Sequence, residues 1–274
     1  MEIVTINLPN GRTLQGYKNE YVISRVVENQ NYYEYDWLDK WFRVKADNPI
    51  IYDIGANLGN HTIYFADHAK TAQIYAFEPV TANYNLLDAN VKANNFTDRV
   101  TLFNNAIGAE KGHAFMQIPE GNAGNFGMMS IVKGQPQNAE KVEVVVIDEL
   151  NLPTPDYVKI DTEGFEVNVL KGMKNTLAKA DAVVWIEIEI ANAMEVNELM
   201  SSIGYGIIDL NLYNMAGRNF NCIFTKPGNK LFETNTLLSA LIKQGSDLSR
   251  MAQKGLLLAQ QMDKYNKILG GQQQ

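Results

Sequence analysis

Three short stretches carry side chains whose types and spacing suit chemistry. Asp53-Ile54-Gly55-Ala56-Asn57-Leu58-Gly59 follows an apolar run, Ile50-Ile51-Tyr52, and opens a helical pattern through Ile63, Phe65 and Ala66. Glu78 stands at the end of a second apolar run, Ile74-Tyr75-Ala76-Phe77, and Asp161 and Glu163 follow a third, Tyr157-Val158-Lys159-Ile160. A buried strand that turns through glycines into a helix is the nucleotide-binding entry of a doubly wound α/β sheet. A dinucleotide needs bare backbone at the middle glycine of that turn, so that its pyrophosphate can approach. Asn57 puts a side chain there, and Asp53 puts a carboxylate close by. Both suit a ligand with an ammonium group and no pyrophosphate, of which S-adenosylmethionine (SAM) is the common one. Asp53 would meet the amino group, directly or through water, and the amides around Gly55 to Gly59 would meet the carboxylate at the helix N-terminus. Glu78 occupies the place of the acidic residue that hydrogen-bonds ribose hydroxyls, about 20 residues on. Capping of the helix that starts near Val80 is a second role for it, and the two are compatible. After a strand at Val100 to Phe103, Asn105 with Ala106 is the expected contact with the base, Asn104 being the other candidate. Turn-forming asparagine accounts for that loop almost as well.

The strand tip beside the first strand is where a reacting atom would sit in such a sheet. Asp161 and Glu163 are packed into that tip, and either could remove a proton from an attacking hydroxyl. His61, one turn into the first helix, is the third candidate base, with packing or substrate orientation as its other reading. The same carboxylates have a rival use. Asp161, Glu163 and Glu187 would be hard oxygen ligands for Mg²⁺ or Ca²⁺, an alternative placed behind the metal-free one because nothing in the sequence fixes the third ligand. Glu187 and Glu189 share one face of the strand AVVWIEIEI, where paired carboxylates are costly unless matched or near water. One of the two is expected to reach the site. Glu166, in the first turn of a helix, is favoured there by the helix dipole alone. His68 and His113 have no motif around them and read as surface residues.

These residues need a scaffold, and 274 residues suffice for one large domain with a real core and an appendage. Charged residues make up 20% and apolar ones 46%, the balance of a soluble globular protein. A net charge of −7 argues against nucleic acid as substrate, since phosphate backbones are held by basic surfaces. The single cysteine, Cys222, excludes an internal disulfide and a cysteine-rich zinc site. No apolar run approaches the ~20 residues that span a bilayer, and no basic-then-apolar leader is evident, so a cytoplasmic location is expected. Residues 1–49 read as a hairpin around Pro9-Asn10-Gly11 and two short helices rich in Tyr and Trp. They form a lid whose aromatic residues are core packing or, less favoured, the lining of a sugar site. Residues 50–228 form the cofactor-binding domain. Within it, the long polar stretch from Pro119 to Glu140 is assigned to the acceptor-side lid. Residues 231–269 carry Leu and Met at three–four spacing and read as an amphipathic helical tail, for homodimerisation, for linkage to a fused or partner enzyme, or folded back on its own domain.

Together these motifs resemble the FkbM-type SAM-dependent methyltransferases. The resemblance rests on Asp53 to Thr62, on Phe77-Glu78-Pro79, on Val146 to Leu150, and on Val158 to Glu166 followed by Val169-Leu170-Lys171-Gly172. It covers roughly residues 50–225. It implies a Rossmann-like, seven-stranded, mostly parallel sheet, the class I methyltransferase fold, here with a helical C-terminal tail. It also implies O-methylation of a hydroxyl on a small molecule or saccharide. Asp53, Gly55, Asn57, Gly59 and Glu78 fall on the family's cofactor positions, Asp161 and Glu163 on its motif after the fourth strand, and Glu187 on the acidic residue of its fifth strand. Two other functional classes are carried beside the enzyme. One is a SAM-binding module without catalysis, tethered to a partner such as a glycosyltransferase. The other is an NAD-dependent oxidoreductase, which Asn57 disfavours.

Overall fold

The computed structural model describes residues 2–42, 46–117, 130–132, 138–211 and 219–229. The helical tail expected over 231–269 and most of the stretch assigned to an acceptor-side lid therefore lie outside the described residues.

The alternating first segment forms a hairpin, β1 (Ile3–Asn7) and β2 (Thr13–Tyr17), turned by a 3-10 element at Pro9–Gly11. Two helices follow, α1 (Tyr21–Asn29) and α2 (Tyr35–Trp41). Then come the β-branched and aromatic runs that build the main sheet. These are β3 (Ile50–Ile54), β4 (Gln73–Phe77), β5 (Val100–Phe103), β10 (Tyr157–Ile160), β11 (Val183–Glu189), β12 (Gly206–Asn211) and β13 (Asn219–Thr225). Their order is β12-β13-β11-β10-β3-β4-β5. The five strands from β11 to the edge strand β5 run parallel, and β13 enters antiparallel to both β11 and β12. The parallel pairs are joined through helices, α3 (Asn60–His68) after β3, α4 (Thr81–Ala93) after β4, and α5 (Glu166–Gly172) and α6 (Lys174–Lys179) after β10, as parallel pairing requires. The last crossover is α7 (Ala193–Ser202). The core fills around Ile54, Phe77, Ile160, Val169, Leu170, Ile186 and Phe224.

A second sheet stands apart from the first. β6 (Ala106–Ile107), β7 (Gly112–Gln117), β8 (Ser130–Val132) and β9 (Glu140–Val145) form it in the order β6-β9-β7-β8. Its small core is Val80, Ala106, Met116, Val142 and Val144. Among the described residues no helix is long and apolar enough to cross a membrane.

The N-terminal hairpin is joined to α4 by two asparagines one turn apart. Asn90 accepts from the Gln15 amide and donates to the carbonyls of Gln15 and Leu58, while Asn94 accepts from the Thr13 amide and donates to its carbonyl. The pair acts as a surrogate strand along the free edge of β2, satisfying backbone groups that would otherwise be left unpaired. Asn90→Ala would orphan the Gln15 groups and the Leu58 carbonyl. At ~1–3 kcal/mol per unsatisfied buried group, partly recovered by water, the expected loss is about 2–3 kcal/mol, read from the urea midpoint.

Candidate functional site

The strand register builds the site row by row. On one face of the main sheet, Ile51, Tyr157 and Val183 lie side by side, then Asp53, Lys159 and Trp185. The next positions toward the strand ends are Asp161 and Glu187, with Asn221 of β13 opposite Glu187. Polarity thus rises toward the carboxyl ends of the strands, where ligands bind in open α/β sheets. Deeper on the same face an apolar recess is lined by Trp41, Phe42, Phe65, Tyr157 and Trp185, with Lys159 at its polar end.

Asp53 is fully buried. Its Oδ2 accepts a hydrogen bond from Thr62 at 2.5 Å, while its Oδ1 has no hydrogen-bond partner among the described residues. The turn that follows passes through three left-handed residues, Gly55, Asn57 and Gly59. Asn57 tolerates this conformation better than most side chains, and its buried Oδ1 also lacks a donor among the described residues. Glu78, buried at the end of β4, braces the turn. Its Oε2 accepts from the Asn57 amide at 2.8 Å, and its Oε1 accepts from the Val80 amide, the entry to α4. Burial pushes the Glu78 carboxyl up to about 7, against the pull of those amides and of Asn83. The helix-entry role raised from sequence is therefore present, and with three donors on its two oxygens the carboxylate keeps acceptor capacity for one further hydroxyl.

Asn104 donates to the Glu78 and Pro79 carbonyls and holds the strand tip together. Asn105 donates to Glu143 of the side sheet, and Ala106 is a buried residue of β6 beside Val144.

Across the first turn lies the segment from Asp161 to Glu166. Glu163 takes the left-handed backbone and is followed by left-handed Gly164. Buried Glu166 pins the loop by accepting from the Gly164 amide and from Asn192. Asp161 Oδ2 lies 3.0 Å from the ammonium of buried Lys159. Burial disfavours the Asp161 charge, but Lys159, a hydrogen bond with Glu187 and nearby His61 together hold its carboxyl below the usual range. Glu187 goes the other way. The Asp161 charge, then burial, pushes its carboxyl well up, so that it keeps a proton at neutral pH and shares it with Asp161. Glu187, not Glu189, is thus the β11 carboxylate coupled to Asp161.

Asp161, Glu163 and Glu187 offer oxygens within 4.8 Å of one another, spacing that a hard cation could use. The Lys159 ammonium, 3.0 Å from Asp161, already supplies positive charge to this group. His61 is buried, its ring edge-on to Trp185 with centroids 5.3 Å apart.

Three members of the site, Glu34, Lys159 and Asn221, have no role assigned from the sequence, while Tyr33 belongs to the aromatic segment read as core packing or the lining of a sugar site. Glu34 lies in the link between α1 and α2, and its Oε2 sits 3.2 Å from His61 Nε2. Burial pushes the Tyr33 hydroxyl far up, with Glu34, Asp161 and Glu187 adding to the effect. A lysine inside the apolar run Tyr157–Ile160 was a usable signal. Glu34 and Asn221 gave none, being 187 residues apart in sequence.

The strand order and the glycine-turn cleft define a class I methyltransferase fold. A family model described as the methyltransferase FkbM domain matches residues 53–206, and the chain belongs to that family. Among curated proteins it is similar to the hexuronic acid methyltransferase AglP of Haloferax volcanii, 26% identical over 57% of this chain and 62% of the relative. It is likewise similar to Methyltransferase 1 of Beauveria bassiana, 27% identical over 50% of this chain and 64% of the relative. The matched region thus spans somewhat under two thirds of either relative's length. Among solved structures, the tRNA methyltransferase TrmK of Bacillus subtilis shares the fold, with a TM-score of 0.51 and 11% identity over 84% of this chain and 85% of that one.

Proposed function

We propose that the protein is a SAM-dependent O-methyltransferase acting on a hydroxyl of a small molecule or saccharide. The observation that carries this reading is the pair of buried oxygens, Asp53 Oδ1 and Asn57 Oδ1, that have no donor among the described residues. They lie in one turn and suit a ligand that brings N–H groups, as the ammonium end of SAM does. The N-terminal amides of α3 suit its carboxylate, and Glu78 its ribose. When bound, SAM supplies a methyl group already activated by the adjacent sulfonium.

The chain's residues then have two tasks. The first is to hold the acceptor oxygen in line, and positioning of this kind supplies ~7–11 kcal/mol of a barrier. Glu163 and Asn219, whose side chains meet at 3.5 Å, lie beside that end of the cleft. The second task is to take the hydroxyl proton, which typically adds about 10²–10⁴-fold. Asp161 and Glu187 are hydrogen-bonded to each other beside Lys159, Asp161 pulled below and Glu187 pushed above the usual range, so the pair is a poor base. Glu163 and His61 remain, and His61 is favoured because it has a carboxylate behind it. A divalent metal on Asp161, Glu163 and Glu187 stays the second reading for the same oxygens. A saccharide acceptor draws support from the hexuronic acid relative.

Calorimetry with SAM and with NAD tests the cofactor, and mass spectrometry of candidate saccharides for the gain of one methyl tests the acceptor. Binding of NAD but not SAM would replace this reading with an oxidoreductase. Glu78→Ala is expected to weaken SAM binding by roughly 10–100-fold, the worth of a hydrogen bond to a charged group at ~1.5–3 kcal/mol. Unchanged affinity in a variant that melts normally would remove Glu78 from the ribose.

A further inference from the structure

We propose that Glu34, from the N-terminal segment outside the region matched to the family, is a positioning residue of the reactive site that fixes the proton arrangement of His61. The inference rests on the reading of His61 as the base.

The first two residues of α3 meet two neighbouring residues of the segment. Asn60 accepts from the Tyr33 amide at 3.0 Å and donates to the Tyr33 carbonyl at 3.1 Å. His61, next in sequence, then faces Glu34, next after Tyr33. Glu34 takes a left-handed backbone, φ 59°, which costs a non-glycine residue free energy. It serves as the N-cap of α2 without a side-chain capping bond, because its carboxylate is turned into the site instead.

The direction of the hydrogen bonds fixes the protons. The Trp185 indole can only donate, and its Nε1 does so to Asn221 Oδ1 at 2.6 Å. Asn221 must therefore present its Nδ2–H to Glu34 Oε1, which accepts at 3.2 Å. The other oxygen, Oε2, faces His61 Nε2 at 3.2 Å, within pairing distance though off the line of a hydrogen bond. A carboxylate oxygen so close to a nitrogen lone pair would repel it, so Nε2 carries hydrogen and Nδ1 keeps the lone pair. A proton accepted at Nδ1 leaves an imidazolium whose charge Glu34 balances. This is the logic of a base oriented by a third group. Around the ring stand Tyr33, Phe65 and Trp185, and Asp161 is the further charge that acts on it.

The test uses the full chain labelled with ¹⁵N-histidine. Long-range ¹H–¹⁵N spectra report which nitrogen of each imidazole holds the proton, and His61→Asn assigns the His61 signals among the three histidines. The wild type is expected to show the Nε2–H form at His61. Glu34→Gln keeps the shape and the bond from Asn221, so its amide NH₂ is turned to His61. The Nε2–H form should be lost in favour of Nδ1–H, with His68 and His113 unchanged. If that variant fails to fold, Trp185→Phe is the second probe. It frees Asn221 to turn, and His61 should lose its single preferred form. His61 spectra that match the wild type in a folded variant would reduce Glu34 to a tie between segments and overturn the proposal. Failure of the wild type to bind SAM would instead sink the methyltransferase reading and leave the tautomer result standing.

Discussion

Gly55→Ala is expected to abolish or nearly abolish folding, with a loss above about 4 kcal/mol, in the range reserved for a few severe mechanisms. Two costs fall on the same atom. Gly55 has φ 80°, where a Cβ is disfavoured, and that Cβ would lie 1.7 Å from the backbone carbonyl oxygen of Asp161. A backbone atom cannot rotate away. The Asp161 amide is bonded to the Ile54 carbonyl at 2.9 Å and the Gly55 amide to the Phe77 carbonyl at 2.9 Å, so relief would break the ladder on both sides of β3. A domain stable by ~5–15 kcal/mol has little to spare for this. Gly59→Ala is the internal comparison. It has φ 97°, but its Cβ would meet the Leu87 Cδ1 at 2.8 Å, the end of a side chain that can shift. Its expected loss is about 1–3 kcal/mol, strain at a left-handed position with modest repacking. Urea unfolding of both variants decides. A Gly55→Ala protein within about 1 kcal/mol of wild type, inside the range of ordinary substitutions, would mean that the two loops do not meet as described.

The same contact shows why some of the site could be read from the sequence. The turn from Asp53 to Gly59, Glu78, and the segment from Asp161 to Glu166 each lie at a strand end, and a strand end is visible as the place where an apolar run stops. Parallel pairing in register brings those ends together, so three local motifs become one cleft without further information. Position along the strand did not say how each carboxylate would be used. Glu166 and Glu78 spend oxygens on backbone amides of their own loops, whereas Asp161 and Glu187 share a proton. Asp148, inside the motif from Val146 to Leu150, caps α6 from outside by accepting from the Asn175 and Thr176 amides. Periodicity has no access to such partners, because they depend on which helix lands beside which turn. Asn105 and Ala106 show the limit most plainly. The strand at Val100 to Phe103 could be read, and the runs at 114–118 and 142–147 read as strands too, but not the pairing of 106–107 with 144–145 or the bond from Asn105 to Glu143.

Lys159→Met should cost about 3–5 kcal/mol near neutral pH, the usual penalty for removing one partner of a buried ion pair. The lysine is buried, lies 3.0 Å from Asp161 and sits 5.5 Å from the centre of the Trp185 ring. Burial alone would lower its pKa. Asp161, Asp53 and Glu34 outweigh that and push it well up. A raised lysine contributes stability that is fully present below its unfolded value of about 10.4 and is lost only as pH rises through the folded value. The lowered Asp161 contributes stability above its unfolded value of about 3.9, lost as pH falls. Across the neutral range the wild-type pair is therefore nearly indifferent to pH. Without the ammonium, burial of Asp161 is unopposed by its main partner and its folded pKa moves above the unfolded one. The folded variant then holds a proton that the unfolded chain releases, and its stability falls as pH rises through that window. The difference from wild type should be small near pH 4 and grow to its full size by pH 8, in urea titrations at several pH values. A loss of the same size at every pH would mean that Lys159 acts by filling space against Trp185, and that the carboxylates around it are neutralised by other means.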